Sequence, residues 1–324
     1  MRKKINIHQH MNCIQMVLEV ICSQLKIEFS NMFIDSWDFF YETADDAFSP
    51  TGLSSRSPSS PSRHNRLGVE EIVVGQSNDF SETLIRSCIE QGDILLADMD
   101  SYHCPWHRGY KKTHIKHYFL IVGIQESGLC CNDPYLSPTE KRTLSYSEVR
   151  YINRLSYFKK VEDIGAKKAE NVLVELIRDE KRIIKMFEMI EAFSQQLLQL
   201  NDPNKLFDYA GDVYLCTLAR ELKFIADSRI QVGYLLDKFN LPESLHNEQI
   251  TQVSDMFYHC GDQWNHLNSI FIKLFCISSQ FEKAKWKIAE YTADILKTDR
   301  MALEQMKVIR SLSRSRNNSV SCEV

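Results

Sequence analysis

Residues 94–133 read ILLADMDSYHCPWHRGYKKTHIKHYFLIVGIQESGLCCND, and the order of apolar and polar runs within them decides the fold. The stretch opens on a short apolar run that belongs to DILLADM, residues 93–99. HYFLIVGI, 117–124, is aromatic and β-branched, and LCCND, 129–133, follows through QESG. Short runs of such residues bounded by turn signals read as strands, and a glycine-containing connection between two of them reads as a hairpin. The segment between the first two runs is polar and carries His103, His107 and His114, and His117 opens the second run. Strands therefore run through the middle of the first half, and the side chains able to do chemistry are gathered in one connecting segment.

The flanking sequence extends the pattern. GVEEIVV, 68–74, is strand-like, and RLSYFKKV, 154–161, reads as a further strand. Between them DFSETLIRSCIEQG, 79–92, reads as a helix, with Asp79 and Glu82 at capping-box spacing and Gly92 as its stop. Upstream, Ile14, Val17, Leu18, Ile21 and Leu25 recur at helical spacing, which predicts a buried helix beginning near Met11 and capped by Asn12 or a residue just before it. A helix followed by strands and one more helix predicts an α+β domain with an antiparallel sheet over residues 1–160. ADDAFSPTGLSSRSPSSPSRHNR, 44–66, is rich in Ser and Pro and reads as a mobile loop or insertion in that domain.

Residues 164–312 read as helix almost throughout. Apolar residues recur in four blocks: Val172, Leu176, Ile183, Phe187 and Ile190; Phe207, Val213, Leu218, Leu222 and Ile225; Val253, Phe257, Trp264, Leu267 and Phe271; Phe281, Ile288, Ile295, Leu303 and Val308. Breaks fall at Asn201-Asp202-Pro203 and Leu241-Pro242, since proline suits the first turn of a helix and not its interior. An all-α helical bundle domain is expected there, followed by a disordered polar tail, SRSRNNSVSCEV, over 313–324.

Composition sets the outer limits. The chain has 324 residues, 44% hydrophobic and 25% charged, which suits a folded protein of roughly two domains at about 100–200 residues each and excludes collagen, low-complexity scaffolds and wholesale disorder. Lys+Arg number 39 against 43 Asp+Glu, a formal charge of −4, so no global basic field is available to hold nucleic acid. No run approaches the ~20 apolar residues that a bilayer span needs, so no membrane association is expected. MRKKINIHQHMNCIQMVLEVIC starts basic like a secretion signal, but Glu19 interrupts the apolar stretch and no small-residue cleavage site follows, so a cytoplasmic protein is expected. Ten cysteines at irregular spacing, including the adjacent Cys130 and Cys131, suit reduced thiols.

Three readings of the polar segment compete. In the first, Cys13 is a nucleophile at a helix N-terminus, where negative charge is favoured. His117 would take and return its proton, and Asp133 would orient the ring and stabilise its cation. Strand alternation places His117 with Phe119 and Ile121, and hairpin pairing can bring Asp133 beside it. In the second, Cys104, His107, His114 and His117 have ligand-like spacing for a structural zinc site. The third makes the histidines and tyrosines a polar loop and the buried-helix cysteine an inert small hydrophobe. Spacing alone leaves all three open.

A resemblance favours the first. HMNCIQMVLEVI (10–21), ILLADMDSYHCPWHRGYKKTHIKHYFLIVGI (94–124) and LCCNDPY (129–135) together resemble the butirosin biosynthesis protein H family. That family joins an N-terminal papain-like cysteine domain, related to double-glycine leader peptidases, to a helical C-terminal region. The resemblance covers about the first 160 residues in motifs and the remainder in character only. It implies Cys13 as nucleophile, His117 as general base and acid, Asp133 as its orienter with His114 as the competing histidine, and Asp100, Tyr102, His107, Tyr110 and His114 as residues lining an acceptor pocket. It implies acyl transfer from a carrier-protein thioester to an amine on a small molecule, in secondary-metabolite biosynthesis. No cofactor is bound in that scheme, because the phosphopantetheine arm belongs to the carrier protein, and no metal is used. Lys111, Lys112 and Lys116 would offer the carrier a local basic patch. Leader peptidases place a Gln six positions before the nucleophile and usually carry Asp-Cys-Gly there. Here Gln9 stands four positions before Cys13 and the local sequence is Asn12-Cys13-Ile14. That departure weakens the peptidase or amidase alternative, and it moves the expected oxyanion donors to backbone N–H groups at the helix start. A non-catalytic metal-binding or interaction protein is the alternative outside enzymes.

Overall fold

Asn12 caps the first helix. Its side chain accepts the Gln15 N–H at 3.1 Å, and the Gln15 side chain accepts the Asn12 N–H at 2.9 Å, so two donors that a helix start leaves without partners are satisfied reciprocally. The computed structural model describes residues 5–42, 48–56, 66–76, 82–161, 169–209, 211–239 and 247–320. In chain order the elements are α1 (Cys13–Leu25), β1 (Phe40–Tyr41), β2 (Leu53–Ser54), β3 (Val69–Gln76), α2 (Glu82–Glu90), β4 (Leu95–Asp100), β5 (Lys116–Gln125), β6 (Gly128–Asn132), β7 (Lys141–Ser145), α3 (Tyr146–Val149) and β8 (Ile152–Lys160). The helices α4 (Ala169–Leu176), α5 (Glu180–Gln199), α6 (Thr217–Phe239), α7 (Asn247–Cys276) and α8 (Phe281–Val320) follow. The chain is mixed α/β, with an antiparallel sheet and a helical C-terminal region.

Two compact units result, and both are discontinuous in sequence. One comprises residues 11–29 and 62–165, the other 1–10, 30–61 and 166–324. The first unit is built on a six-stranded sheet of order β3-β8-β4-β5-β6-β7, antiparallel at every pair. On one face Leu95, Ala97, Met99, Phe119, Ile121, Leu129, Cys131, Leu144 and Leu155 pack with Ile85 and Cys88 of α2 and with Cys104. Helix α2 ends where Gly92 takes φ +84°, which lets the Gly92 and Asp93 N–H groups return to Ile89 and Cys88. In the β5–β6 hairpin Gln125 pairs with Gly128, leaving Glu126 and Ser127 as the loop. Gly128 itself starts β6 at φ +151°, and a Cβ there would lie 2.1 Å from the Leu144 carbonyl oxygen. The glycine of QESG is thus demanded by the close approach of β7 as well as by the turn.

The second unit is the helical bundle, with most of residues 30–41 buried in its core. Trp37 meets Phe257 edge-to-face at 5.0 Å, and Phe39 stacks on Trp264 at 5.6 Å and meets Phe193 at 5.8 Å. Arg229 of α6 and Asp299 of α8 form a completely buried ion pair at 3.1 Å, and Asp299 also accepts the Trp37 indole N–H at 3.2 Å. Arg229 reaches the Asp38 carbonyl at 2.8 Å.

Several expectations are corrected. Residues 1–10 and 30–61 belong with the helices, so the two units are not the consecutive stretches 1–160 and 164–312. Within the expected insertion, 48–56 supplies β2, which pairs with β1; residues 43–47 and 57–65 lie outside the described residues, as do Asp79 and Pro242. The first apolar block is two helices, because Asp179 caps α5 by accepting the Arg182 N–H at 3.1 Å. Helix α8 continues to Val320, well into the expected tail, and Val308 is exposed on it. No helix among the described residues is long and apolar enough to cross a membrane.

Candidate active site

Strand register assembles the site within the sheet unit. Leu120 pairs with Asn132 across β5–β6, so the next residue outward, Asp133, comes level with Phe119 and one same-face step from His117. The His117 Nε2–H donates to Asp133 Oδ2 at 2.7 Å, with both side chains buried. A carboxylate only accepts, so this bond places a proton on Nε2 and leaves Nδ1 for the other side of the ring. Cys13 is another polar neighbour of the ring, close enough for its side chain to favour the protonated imidazole. Cys13 is the first residue of α1 and is partly exposed, whereas Cys22, Cys88, Cys104, Cys130 and Cys131 of the same unit are buried.

The electrostatics follow from these contacts. Burial works against a charged His117, but its hydrogen bond to Asp133 and the neighbouring Cys13 overcome that and push the ring up to about 9. His117 is therefore cationic at neutral pH, and a cationic imidazole beside a sulfur is the arrangement that holds a reactive thiolate. Burial carries the Cys104 thiol up to about 12 and Cys22 likewise, so these remain protonated.

Two neighbours were not singled out in the sequence, or were given another role. The Trp106 indole N–H donates to Asp133 Oδ2 at 3.0 Å, and its ring meets Phe119 edge-on at 5.2 Å. A tryptophan in a polar loop is a signal, because its N–H needs a partner when covered, but nothing local names a partner 27 residues away. His107, expected in the acceptor pocket, packs against His117 with ring centroids 4.5 Å apart. Its Nδ1 accepts the Gly109 N–H at 2.9 Å, which fixes the neutral ring with its proton on Nε2. Burial first, then the His117 charge, lowers it to about 4, with Asp133 pulling the other way.

The other expected pocket residues divide. Asp100 accepts from His114 Nδ1 at 2.6 Å and from the Tyr102 N–H at 2.9 Å, and Tyr102 stacks on His114 at 4.7 Å. Burial opposes the Asp100 charge, but these hydrogen bonds outweigh it and hold the carboxyl below its usual range. Tyr110 lies under the Lys111 ammonium, which also covers Tyr102. The zinc set does not converge: His114 is exposed and held by Asp100, Cys104 is in the apolar core, and His107 and His117 have the partners given above. Among the described residues no group of three or more His, Cys, Asp or Glu is placed to hold a metal ion. Lys116 is committed to Asp98 at 2.8 Å, which removes it from the expected basic patch.

No protein-family model matches the chain, and no curated protein matches it. The site's chemistry therefore stands on its geometry. A thiol at a capped helix start, beside a buried imidazole that is hydrogen-bonded to a buried carboxylate, is an arrangement suited to nucleophilic acyl transfer.

Proposed function

We propose that this protein is a cysteine-dependent acyltransferase of papain-like type, as its resemblance to the butirosin biosynthesis protein H family implies. The observation that carries the reading is the buried His117 ring, hydrogen-bonded through Nε2 to Asp133 and neighboured by Cys13. In this scheme the Cys13 thiolate attacks the carbonyl of an acyl or aminoacyl thioester on a carrier protein. The first-turn amides of Cys13 and Ile14, which have no intrahelical acceptor, receive the developing oxyanion. Collapse of the tetrahedral adduct breaks the C–S bond to the phosphopantetheine arm, and His117 protonates the departing thiolate. An amine then attacks the Cys13 thioester, His117 takes the amine's proton, and the amide leaves as the Cys13 thiolate returns. Thioester exchange is close to isoenergetic, so positioning and oxyanion stabilisation account for most of the required catalysis. Asp133 and Trp106 keep the ring in the plane that both half-reactions use.

The test is intact-mass spectrometry of the protein mixed with an acylated carrier protein. A mass increase equal to the acyl group on the wild type, absent in Cys13→Ala, supports the reading, and labelling that persists in the alanine variant rejects it. Adding candidate amines, then water alone, separates transfer from the hydrolysis that a peptidase or amidase would perform.

A further inference from the structure

Two imidazoles lie in ring contact at the site, and only one of them is bonded to the carboxylate. His107, in the connection between β4 and β5, and His117 on β5 have centroids 4.5 Å apart and planes inclined at 49°. Asp133 Oδ2 accepts from both His117 and Trp106, while Oδ1 is buried with no hydrogen-bond partner among the described residues. His107 is turned to backbone instead. The Gly109 N–H donates to its Nδ1 at 2.9 Å, and its own N–H donates to the Cys104 carbonyl at 3.0 Å. The position of Gly109 is tightly set, since a Cβ on it would lie 2.7 Å from Ser101 Oγ and 3.1 Å from His107 Nδ1. Ser101 Oγ in turn donates to the Thr113 carbonyl at 2.9 Å and accepts the Ile115 N–H at 3.0 Å, and the Ser101 N–H donates to the Ile115 carbonyl at 2.8 Å. The donor that faces Nδ1 thus belongs to a connection fastened at both ends.

A proton added to Nδ1 would meet the Gly109 N–H head-on, so that bond must break before His107 becomes a cation. Burial opposes the cation, the His117 charge opposes it further, and Asp133 pulls the other way. The Cys104 thiol beside it stays protonated and adds no charge. We propose that His107 is a positioning residue for His117: a neutral ring, tied through its lone pair to Gly109, that packs against the His117–Asp133 pair and leaves the positive charge on His117 alone. A histidine free to turn would compete with His117 for the carboxylate and for the proton. A phenyl ring would pack against the pair but strand the buried Gly109 N–H. This deepens the acyl-transfer reading, because it rests on His117 being the group that carries the proton.

The test reads protonation directly, by NMR of protein carrying 15N-labelled histidine, with His107→Asn and His117→Gln used to assign the two rings. Between about pH 5 and 7, wild-type His107 should keep a bare Nδ1 and a protonated Nε2 while both His117 nitrogens carry protons. A His107 that takes a second proton near the ordinary 6.5, or that holds its one proton on Nδ1, overturns the inference. Charge at position 107 is then changed at constant shape. His107→Asn and His107→Asp each offer Gly109 an oxygen acceptor in place of Nδ1 and differ by one negative charge. The His117 midpoint should be higher in His107→Asp than in His107→Asn by about one pH unit, about tenfold in the ratio of protonated to neutral ring. Packing alone would not separate two variants of the same shape, so equal midpoints overturn the role. If His107→Asp does not fold, the wild-type spectrum decides. Acyl loading of Cys13 that persists beside a His107 titrating near its ordinary value would reject this role and leave acyl transfer standing. No loading, with His107 neutral and the midpoints separated, would reject acyl transfer and leave the role.

Discussion

Replacing Asp133 by Asn tests the electrostatic core of the site with minimal steric change. The amide oxygen can still accept from His117 and Trp106, so the packing survives and only the charge is lost. His117 stands at about 9 against an ordinary 6.5. At about 1.4 kcal/mol per pH unit, that difference is about 3 kcal/mol of preference for the cationic ring. Burial opposes the cation, so the whole preference comes from Asp133 and Cys13, with Asp133 the larger contributor. If Asp133 supplies half, its charge is worth roughly one pH unit, or about tenfold in the ratio of protonated to neutral ring. The assay is an NMR titration of protein carrying 13C-labelled histidine, with His117→Gln used to assign the resonance. In Asp133→Asn the His117 midpoint should fall by about one pH unit or more, so the alkaline limb of the Cys13 acylation profile should move down by the same amount while the ring stays mostly protonated at about pH 7. A midpoint within half a unit of wild type would refute the argument that the carboxylate sustains the cation.

Other consequences are open to measurement. Because the folded-state value for His117 lies above its unfolded value, its stabilising effect is complete below about pH 6.5 and fades as pH rises through about 9, so urea midpoints should decline over that interval in wild type and less in His117→Gln. Trp106→Phe keeps a ring against Phe119 but leaves Asp133 Oδ2 with one donor, and should cost about 1.5–3 kcal/mol in urea unfolding. Arg229→Met strands Asp299 in the helical core and should cost about 3–5 kcal/mol, part of which Arg229→Met/Asp299→Leu recovers; equal losses in the single and double variants would contradict the buried-pair account. Gly128→Ala should destabilise the sheet unit, since its Cβ must displace the Leu144 carbonyl at a φ that alanine avoids.

What the sequence revealed follows from where it is periodic. Strands β4, β5, β6 and β8 and helix α1 were legible because their apolar residues keep one spacing over a whole element and end on turn or cap residues. Strand β7 was not, because it lies at the sheet edge and buries only Leu144, its other residues being partly or fully exposed. Residues 30–42 bury Met32, Phe33 and Ile34 on a short 3-10 helix, Phe29–Asp35, and Trp37 and Phe39 just beyond it, in pieces too short for an apolar spacing to repeat. Within the site, the alternation rule put His117 on the correct face, and the D-P at the end of β6 marked Asp133. Trp106 and His107 act through contacts that only tertiary folding creates.

The placement of residues 30–61 among the helices bears on how the chain is made. Ribosomes deliver the N-terminus first, yet Trp37 hydrogen-bonds a residue 262 positions downstream. Until α5, α7 and α8 have emerged, Trp37 and Phe39 have no partners to cover them, and the bundle cannot close its centre. The sheet unit, complete in sequence by residue 165, is free to form earlier. Vectorial synthesis thus leaves an aromatic segment without its partners for most of translation. The same placement makes a fragment beginning at residue 166 a poor way to study the helices alone.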